Sequence, residues 1–365
     1  YNVAVGRDAG NDITTGTVNT LIGGLAGDAL TDADNNVAIG YAALSSDTLG
    51  GRSVAVGTTA LLNQNFTTAT NAYNIAVGGN AVTTGVQNTI VGGLAGDALT
   101  DTDFNVAIGY LALSGDTLGS KSVAIGQTAL RVQNLTTATE VFNTAVGHSA
   151  GTAVTTGLHN TLIGGLAGDA ITSGGSNTII GKEAGSSSVN LTTGINNVLI
   201  GSNADTTAAD TNNAVGIGYA IDAADGFVTL GVGVNDIRAA NGNVTWATVS
   251  DERYKKDILD STAGLSFINA LQPRTFKYKN LGELPETFRA YEADSTEVYK
   301  NSNTNHGFIA QEVKAAIDAD SNIKDGFRLW DERDDGGQEV AEAALIPILV
   351  KAIQELTARI ATLEG

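Results

Sequence analysis

Short runs in which apolar and small residues alternate, each begun by Asn or Ser and closed by Gly, recur through the first two thirds of the chain. Asn2 to Gly6, Asn19 to Gly23, Asn36 to Gly40, Ser53 to Gly57, Asn105 to Gly109 and Asn197 to Gly201 are examples, and degenerate copies follow around Gly218 and Gly233. In Asn36-Val37-Ala38-Ile39-Gly40 the alternation is that of a strand, so Val37 and Ile39 share one face and Ala38 takes the other. Gly40 then permits a corner that a β-carbon would obstruct. The closing glycines are mostly 17 residues apart, and a longer period of 69 is laid over this, as from Gly23 to Gly92 and from Gly40 to Gly109. Gly24-Leu25-Ala26-Gly27-Asp28-Ala29-Leu30-Thr31-Asp32 recurs verbatim at residues 93 to 101, which implies recent internal duplication.

A strand this short is not stable alone, but stacking one coil on the next at strand spacing makes it so. The pattern predicts internal ladders of Val and Ile, hydrogen-bonded ladders of Asn at equivalent corners, and small Ala on the opposite face, where another surface can approach. Two coils, carrying Leu61 to Thr70 and Leu130 to Thr139, stretch the spacing to 21. A structural bulge is expected there, with a receptor or glycan contact as the other reading of a longer loop.

The Asn-Val-Ala-Ile-Gly repeat, over roughly residues 1 to 235, resembles the head repeats of trimeric autotransporter adhesins. That resemblance implies a left-handed parallel β-roll in each chain and three rolls packed side by side. The coil of 17 is longer than the usual unit of that family, and no membrane-anchor barrel is evident at the C-terminus.

Composition changes abruptly near residue 250. Of the 45 Gly, 38 precede it, whereas Pro273, Pro285 and Pro347 all follow it. Residues 236–249 read as a connecting segment with Trp246 as its bulky anchor. From Ser250-Asp251-Glu252-Arg253-Tyr254-Lys255-Lys256-Asp257-Ile258 onward the chain resembles the intramolecular chaperone domain of phage tail spikes and fibres, the peptidase family S74 known from endosialidases. The matching blocks are that opening stretch, Leu265 to Tyr278 with Ala270-Leu271-Gln272-Pro273, Gly307-Phe308-Ile309-Ala310-Gln311-Glu312-Val313, and a helical tail ending in Ala352-Ile353-Gln354-Glu355-Leu356. The resemblance implies autoproteolysis at Val249-Ser250 by a Ser-Lys dyad, Ser250 as nucleophile and Lys255 as general base. A serine hydroxyl is a poor nucleophile, and a lysine takes its proton only when burial or neighbours lower the amine's pKa. Five residues is the wrong interval for one helical face, so a turn or extended segment must bring the pair together. Lys256 competes for the role, and Asp251 can orient or hinder either amine.

In the tail, Ile346, Leu349, Ile353, Leu356, Ile360 and Leu363 alternate spacings of three and four, a coiled-coil seam, and Pro347 suits a helix's first turn. Ile at a and Leu at d favour two strands in a free parallel coil, whereas the family resemblance implies three. The expectation follows the family, since three heptads attached to a larger interface need not dictate its order.

Charge and remaining chemistry narrow the function by exclusion. The net charge of −19 divides into six basic and eighteen acidic residues before residue 250, and fourteen basic and twenty-one acidic after it. Both halves would be repelled by a nucleic-acid backbone or an anionic membrane surface. The absence of Cys excludes a disulfide framework and thiolate chemistry, and no apolar run approaches a membrane span. Gly-Leu-Ala-Gly-Asp lacks the Lys-Ser/Thr of a phosphate loop and reads as a turn. His148, His159 and His306 are scattered without ligand spacing, and Asp331 to Glu342, acidic like a calcium loop, carries Arg333 where an oxygen ligand belongs. No cofactor or metal is expected. The chain begins at Tyr1 rather than Met, which leaves room for a signal or a longer N-terminal region upstream.

The expected fold is mainly β: stacked parallel β-roll or β-helix repeats in a homotrimer over residues 1–235, then a smaller α+β chaperone and autoprotease domain with a C-terminal coiled-coil helix over 250–365. The expected function is that of a phage tail-fibre or appendage protein in the virion, made in the host cytoplasm and exposed outside the cell. Its partners would be its own copies, other tail proteins and a host-surface receptor or glycan. A bacterial surface adhesin with a borrowed chaperone is the alternative. A glycosidase spike is disfavoured because the array offers no non-repeating pair of carboxylates.

Overall fold

The computed structural model describes residues 1–79, 85–242, 250–321, 323 and 329–364. It divides into two compact units, Tyr1–Ser250 and Asp251–Gly365.

The first unit is a β-solenoid. Its strands, from Val3–Val5 and Thr20–Ile22 through Val37–Ile39 to Phe227–Val232, pair in parallel with the next coil in one long sheet. Equivalent residues lie side by side: Ala4 opposite Leu21, Leu21 opposite Ala38, Ala38 opposite Ala55. Gly218 falls opposite Gly231, so Gly231 rather than Gly233 closes the last coil, while Gly233 sits in the turn to the strand Asn235–Ala240. That strand runs antiparallel to Phe227–Val232 and ends the sheet, with the Arg238 guanidinium 5.1 Å above the Phe227 ring. Residues 243–249, with Trp246, lie outside the described residues.

The expected facing of the strands is reversed. Ala38, Ala55, Leu21 and Leu162 at the strand centres are fully buried, whereas Ile22, Ile39 and Ile163 at the ends are more than a third exposed. The reason is space. The strand centre shares its part of the coil interior with the fourth residue after the closing glycine. Where the centre is large, that partner is Gly: a β-carbon on Gly27 would lie 2.8 Å from Leu21 Cδ2, and one on Gly168 would lie 2.9 Å from Leu162 Cδ2. Where the centre is Ala38 or Ala55, the partner is Leu44 or Leu61, both fully buried. The small residue is thus an inner half of a size-matched pair, as dense interior packing requires.

The asparagine ladders form as expected. Asn36, fully buried, accepts from Ser53 N through Oδ1 at 2.8 Å, donates from Nδ2 to Gly50 O at 2.9 Å, and donates its own backbone N–H to Asn19 Oδ1 at 2.9 Å. The same pattern runs through Asn88 and Asn105, and through Asn143 and Asn160. Corners stack as well: Leu25 and Thr59 take left-handed backbone angles, φ 60° each, a strain of about 1–2 kcal/mol per residue. It is offset by coil-to-coil bonds from Leu25 N to Arg7 O and from Thr59 N to Tyr41 O, both 2.9 Å.

The two 21-residue coils follow from the same bookkeeping of polar groups. Ser53 and Ser122 stand where Asn is usual, and a serine is too short to span the gap. The longer coil supplies Gln64, which is fully buried, donates to Asp47 Oδ2 at 2.6 Å and Ser53 Oγ at 3.2 Å, and accepts from Asn74 Nδ2 at 2.8 Å. Gln133, Asp116, Ser122 and Asn143 repeat the arrangement. Asp47 Oδ1 also accepts from Gly50 N and Phe66 N, yet burial pushes its carboxyl above the ordinary range, those hydrogen bonds offsetting only part of the desolvation.

The second unit packs helix α1 (Leu265–Ala270), helix α2 (Ala310–Ala319) and helix α3 (Ile346–Glu364) around Phe267, Val313, Ile317 and Ile348. Two short antiparallel pairs, Arg274–Phe276 with Asn305–Gly307 and Trp330–Glu332 with Gln338–Val340, complete it. Gly264 begins α1 without a side chain to cap it, and the Glu355 carboxylate of α3 accepts from Leu265 N at 2.9 Å instead. Among the described residues no helix is long and apolar enough to cross a membrane.

Two substitutions check the coil geometry. Gly40 lies at φ +138° and a β-carbon there would come within 2.4 Å of Gly57 O, so Gly40→Ala should cost about 2 kcal/mol or more. A β-carbon on Gly24 would meet the Tyr41 ring at 3.6 Å and Arg7 O at 3.8 Å, both ordinary contacts, and Gly24→Ala should stay within about 0.5 kcal/mol. Equal thermal midpoints for the two variants would refute the corner account. Gln64→Ala strands buried groups of Asp47 and Asn74 and should lower stability by roughly 2–4 kcal/mol in denaturant titration, against almost none for the exposed Thr68→Ala.

Candidate functional site

The stretch proposed from sequence as a cleavage site lies where the two units meet in the chain. Ser250 is exposed, and Val249 lies outside the described residues. A single 3-10 turn, Glu252–Tyr254, occupies the interval between Ser250 and Lys255. Asp251 starts it, because a carboxylate at a helix cap accepts an otherwise unpaired amide: Oδ1 takes Arg253 N at 2.9 Å. Lys255 ends it in extended conformation, its N–H donating to Glu252 O at 2.9 Å. Both Lys255 and Lys256 are exposed.

Asp251 is engaged with neither lysine. Arg253 Nε donates to its Oδ1 at 3.0 Å and a terminal guanidinium nitrogen to its Oδ2 at 2.6 Å. This charge-assisted fork, helped by the Arg253 amide, holds the Asp251 carboxyl below the usual carboxylate range. The charged cluster of the opening block therefore resolves into a self-contained Asp251–Arg253 turn that presents Ser250 and Lys255 at its two ends.

The other blocks converge within the second unit. Arg274, one residue beyond Pro273, forms a fork with Glu312 in the Gly307 to Val313 block, at 2.9 and 2.7 Å, which depresses the Glu312 carboxyl. Phe276 and Tyr278 meet edge-on at 5.4 Å, Tyr278 and Tyr299 at 5.8 Å, and Lys300 stands over both tyrosine rings. These aromatics, with Phe288, Arg289 and His306, line a cavity of about 730 Å³. The sequence reading missed it, because Tyr299 is brought to the Phe276 and Tyr278 rings by tertiary pairing, of Arg274–Phe276 with Asn305–Gly307 and of Asn280 with Val298, the Tyr299 N–H donating to Lys279 O at 3.0 Å. The Asp331 to Glu342 stretch forms a hairpin: Gly336 turns at φ 82° and Arg333 pairs with Glu339. Among the described residues no group of His, Asp and Glu has the arrangement of a metal site. Replacing Arg253 by Ala should move the Asp251 titration up toward the ordinary aspartate range, about 3.9, in an NMR pH series. An unmoved titration would rule out the fork as its cause.

No curated protein and no solved structure matches the chain. The family comparison does find a match, and it starts on the proposed nucleophile and spans the first three sequence blocks, leaving α3 beyond it. Residues 250–321 match the family model of peptidase S74, described as the chaperone of endosialidase, so this stretch, nearly all of it in the second unit of the β-solenoid protein, is similar to that family.

Proposed function

We propose that the chain is a structural protein of a phage tail fibre or similar virion appendage, serving host attachment, whose C-terminal unit drives trimerisation and folding and then releases itself. The observation that carries this reading is the position of the family match: it begins at Ser250, where a stacked, repetitive β-solenoid ends. A parallel stack is built from contacts many residues apart and repeats its own surface, so unaided folding is slow and open to wrong pairing. A C-terminal unit that first gathers the copies addresses both problems. Cutting it off afterwards removes the route back, and the product is held kinetically.

The chemistry of the cut can be written with atoms balanced. Ser250 Oγ forms a bond to the Val249 carbonyl carbon while its proton passes to Lys255 Nζ. Collapse of the tetrahedral adduct breaks the Val249–Ser250 C–N bond, the amine takes the proton, and the resulting ester is hydrolysed by water. A lysine serves as base only when something lowers its proton affinity, and Lys255 is exposed in the single chain. Cover from neighbouring copies would supply that condition, which couples cutting to assembly.

On a denaturing gel the wild type should split into fragments of residues 1–249 and 250–365 under folding conditions. Ser250→Ala should stay intact, Lys255→Ala should be intact or slowed by on the order of 100-fold or more, and Lys256→Ala should cut normally. The wild-type rate should rise with pH, since the base must be neutral. A wild type that remains full length, or a Ser250→Ala chain that still splits near residue 249, would remove the dyad from consideration.

A further inference from the structure

Each of the two long coils buries a serine against a glutamine side-chain amide. Ser53 and Gln64 are both fully buried, and Gln64 Nε2 stands 3.2 Å from Ser53 Oγ. Ser53 Oγ accepts in that contact, so its own proton is not engaged by the amide. The same nitrogen donates to Asp47 Oδ2 at 2.6 Å, and the amide oxygen Oε1 accepts from Asn74 Nδ2 at 2.8 Å. Asp47 and Asn74 are buried as well. A hydroxyl beside the amide, a carboxyl on its nitrogen and a donor on its oxygen are the groups that acyl transfer from an amide to an alcohol requires.

We propose that each long coil closes on itself through an ester, Ser53 to Gln64 and Ser122 to Gln133, formed with loss of ammonia once the coil has folded. Ser53 Oγ forms a bond to Gln64 Cδ, and its proton passes to the Asp47 carboxylate. The negative charge that develops on Oε1 is held by Asn74 Nδ2, which is already in place. Collapse of the tetrahedral adduct breaks the Cδ–Nε2 bond, and Asp47 gives the proton to the departing nitrogen. One amide and one hydroxyl become one ester and one ammonia, no co-reactant is consumed, and Asp47 is returned unchanged. Burial raises the affinity of the Asp47 carboxyl for a proton, which suits a group that must take one from an alcohol. Burial also excludes the water that would hydrolyse the ester.

Hydrogen bonding alone does not call for this set. In an ordinary coil an asparagine at the serine position completes the ladder within 17 residues, as Asn36 does. The long coils instead carry a hydroxyl there and bring a buried glutamine and a buried aspartate to it, and the hydrogen bonds of Asp47 offset its desolvation only in part. The second copy keeps the four groups although the coil around them has changed, Leu62, Asn63 and Phe66 standing as Arg131, Val132 and Leu135. Gln133 Nε2 lies 3.1 Å from Ser122 Oγ and 2.5 Å from Asp116 Oδ2, and Gln133 Oε1 accepts from Asn143 Nδ2 at 2.9 Å. An ester within the coil would fix its closure covalently, as a disulfide closes a loop, in a chain that has no Cys.

Mass spectrometry of the folded, purified chain tests this, whether or not the chain has been cut at residue 249. The intact mass should fall short of the sequence by one ammonia for each ester, two in all. Ser53→Ala and Ser122→Ala should each restore one, which an imide formed at an asparagine would not do. Trypsin cuts after Lys121, Arg131 and Lys182, so in the denatured digest residues 122–131 should stay joined to residues 132–182. They should separate in Ser122→Ala, and in the wild type after mild alkali, which leaves a carboxyl in place of the Gln133 amide. The wild-type mass decides by itself, so a variant that does not fold leaves the answer intact. A folded wild type with the full mass of its sequence and with 122–131 free of 132–182 would overturn the proposal, as would a link that survives alkali.

Discussion

Most coils of the solenoid hang on one buried asparagine amide. Asn36 touches three levels of the stack at once, receiving from Ser53, giving to Gly50 and holding its own N–H on Asn19. A buried polar group left unpaired costs about 1–3 kcal/mol, so the amide and the corner amides must be aligned together or not at all. That requirement sets coil length more firmly than the apolar positions do. The exceptions are long: where serine replaces asparagine, Gln64 or Gln133 fills the gap and accepts from the side-chain amide of the next asparagine, and extra residues bring it there.

Register locked from inside frees the apolar residues to serve elsewhere. Beneath each of these strand centres the interior takes either Leu21 beside Gly27 or Ala38 beside Leu44, and the flanking Val and Ile lie on the other face of the strand. They line the outside, where β-branched residues suit a pleated surface but are poor company for water. The α3 seam leaves the second unit in the same condition. Two units of different architecture thus each carry an apolar strip that a single chain does not cover, and the stretch that matches the S74 family follows the repetitive one in the sequence.

Much of the candidate site was legible from spacing and chemistry. Ser250, Lys255 and the charged stretch around them stand out because they follow a glycine-rich array, and the family match begins on the same serine. The partner of Asp251 was not legible, since Arg253, Lys255 and Lys256 all offer a cation within a few residues; only the 3-10 turn shows that Arg253 takes it. The aromatic cavity was hidden for a different reason. Phe276 and Tyr299 are separated by more than twenty residues with no shared periodicity, and only tertiary backbone pairing joins them.

The sequence by itself determined the repeat, its strand character, the glycine corners and the asparagine ladders, because each of these is a local pattern copied at fixed intervals and local patterns carry their own geometry. Which side of each strand faces inward was decided only by the tertiary structure. Alternation gives two faces and does not label them; the label comes from the volume enclosed by one coil, a quantity shared between the strand centre and a corner residue six positions further on. The same volume that draws Ala38 and Leu44 together turns Val37 and Ile39 outward, and so it is the packing of the interior that creates the strip on the surface.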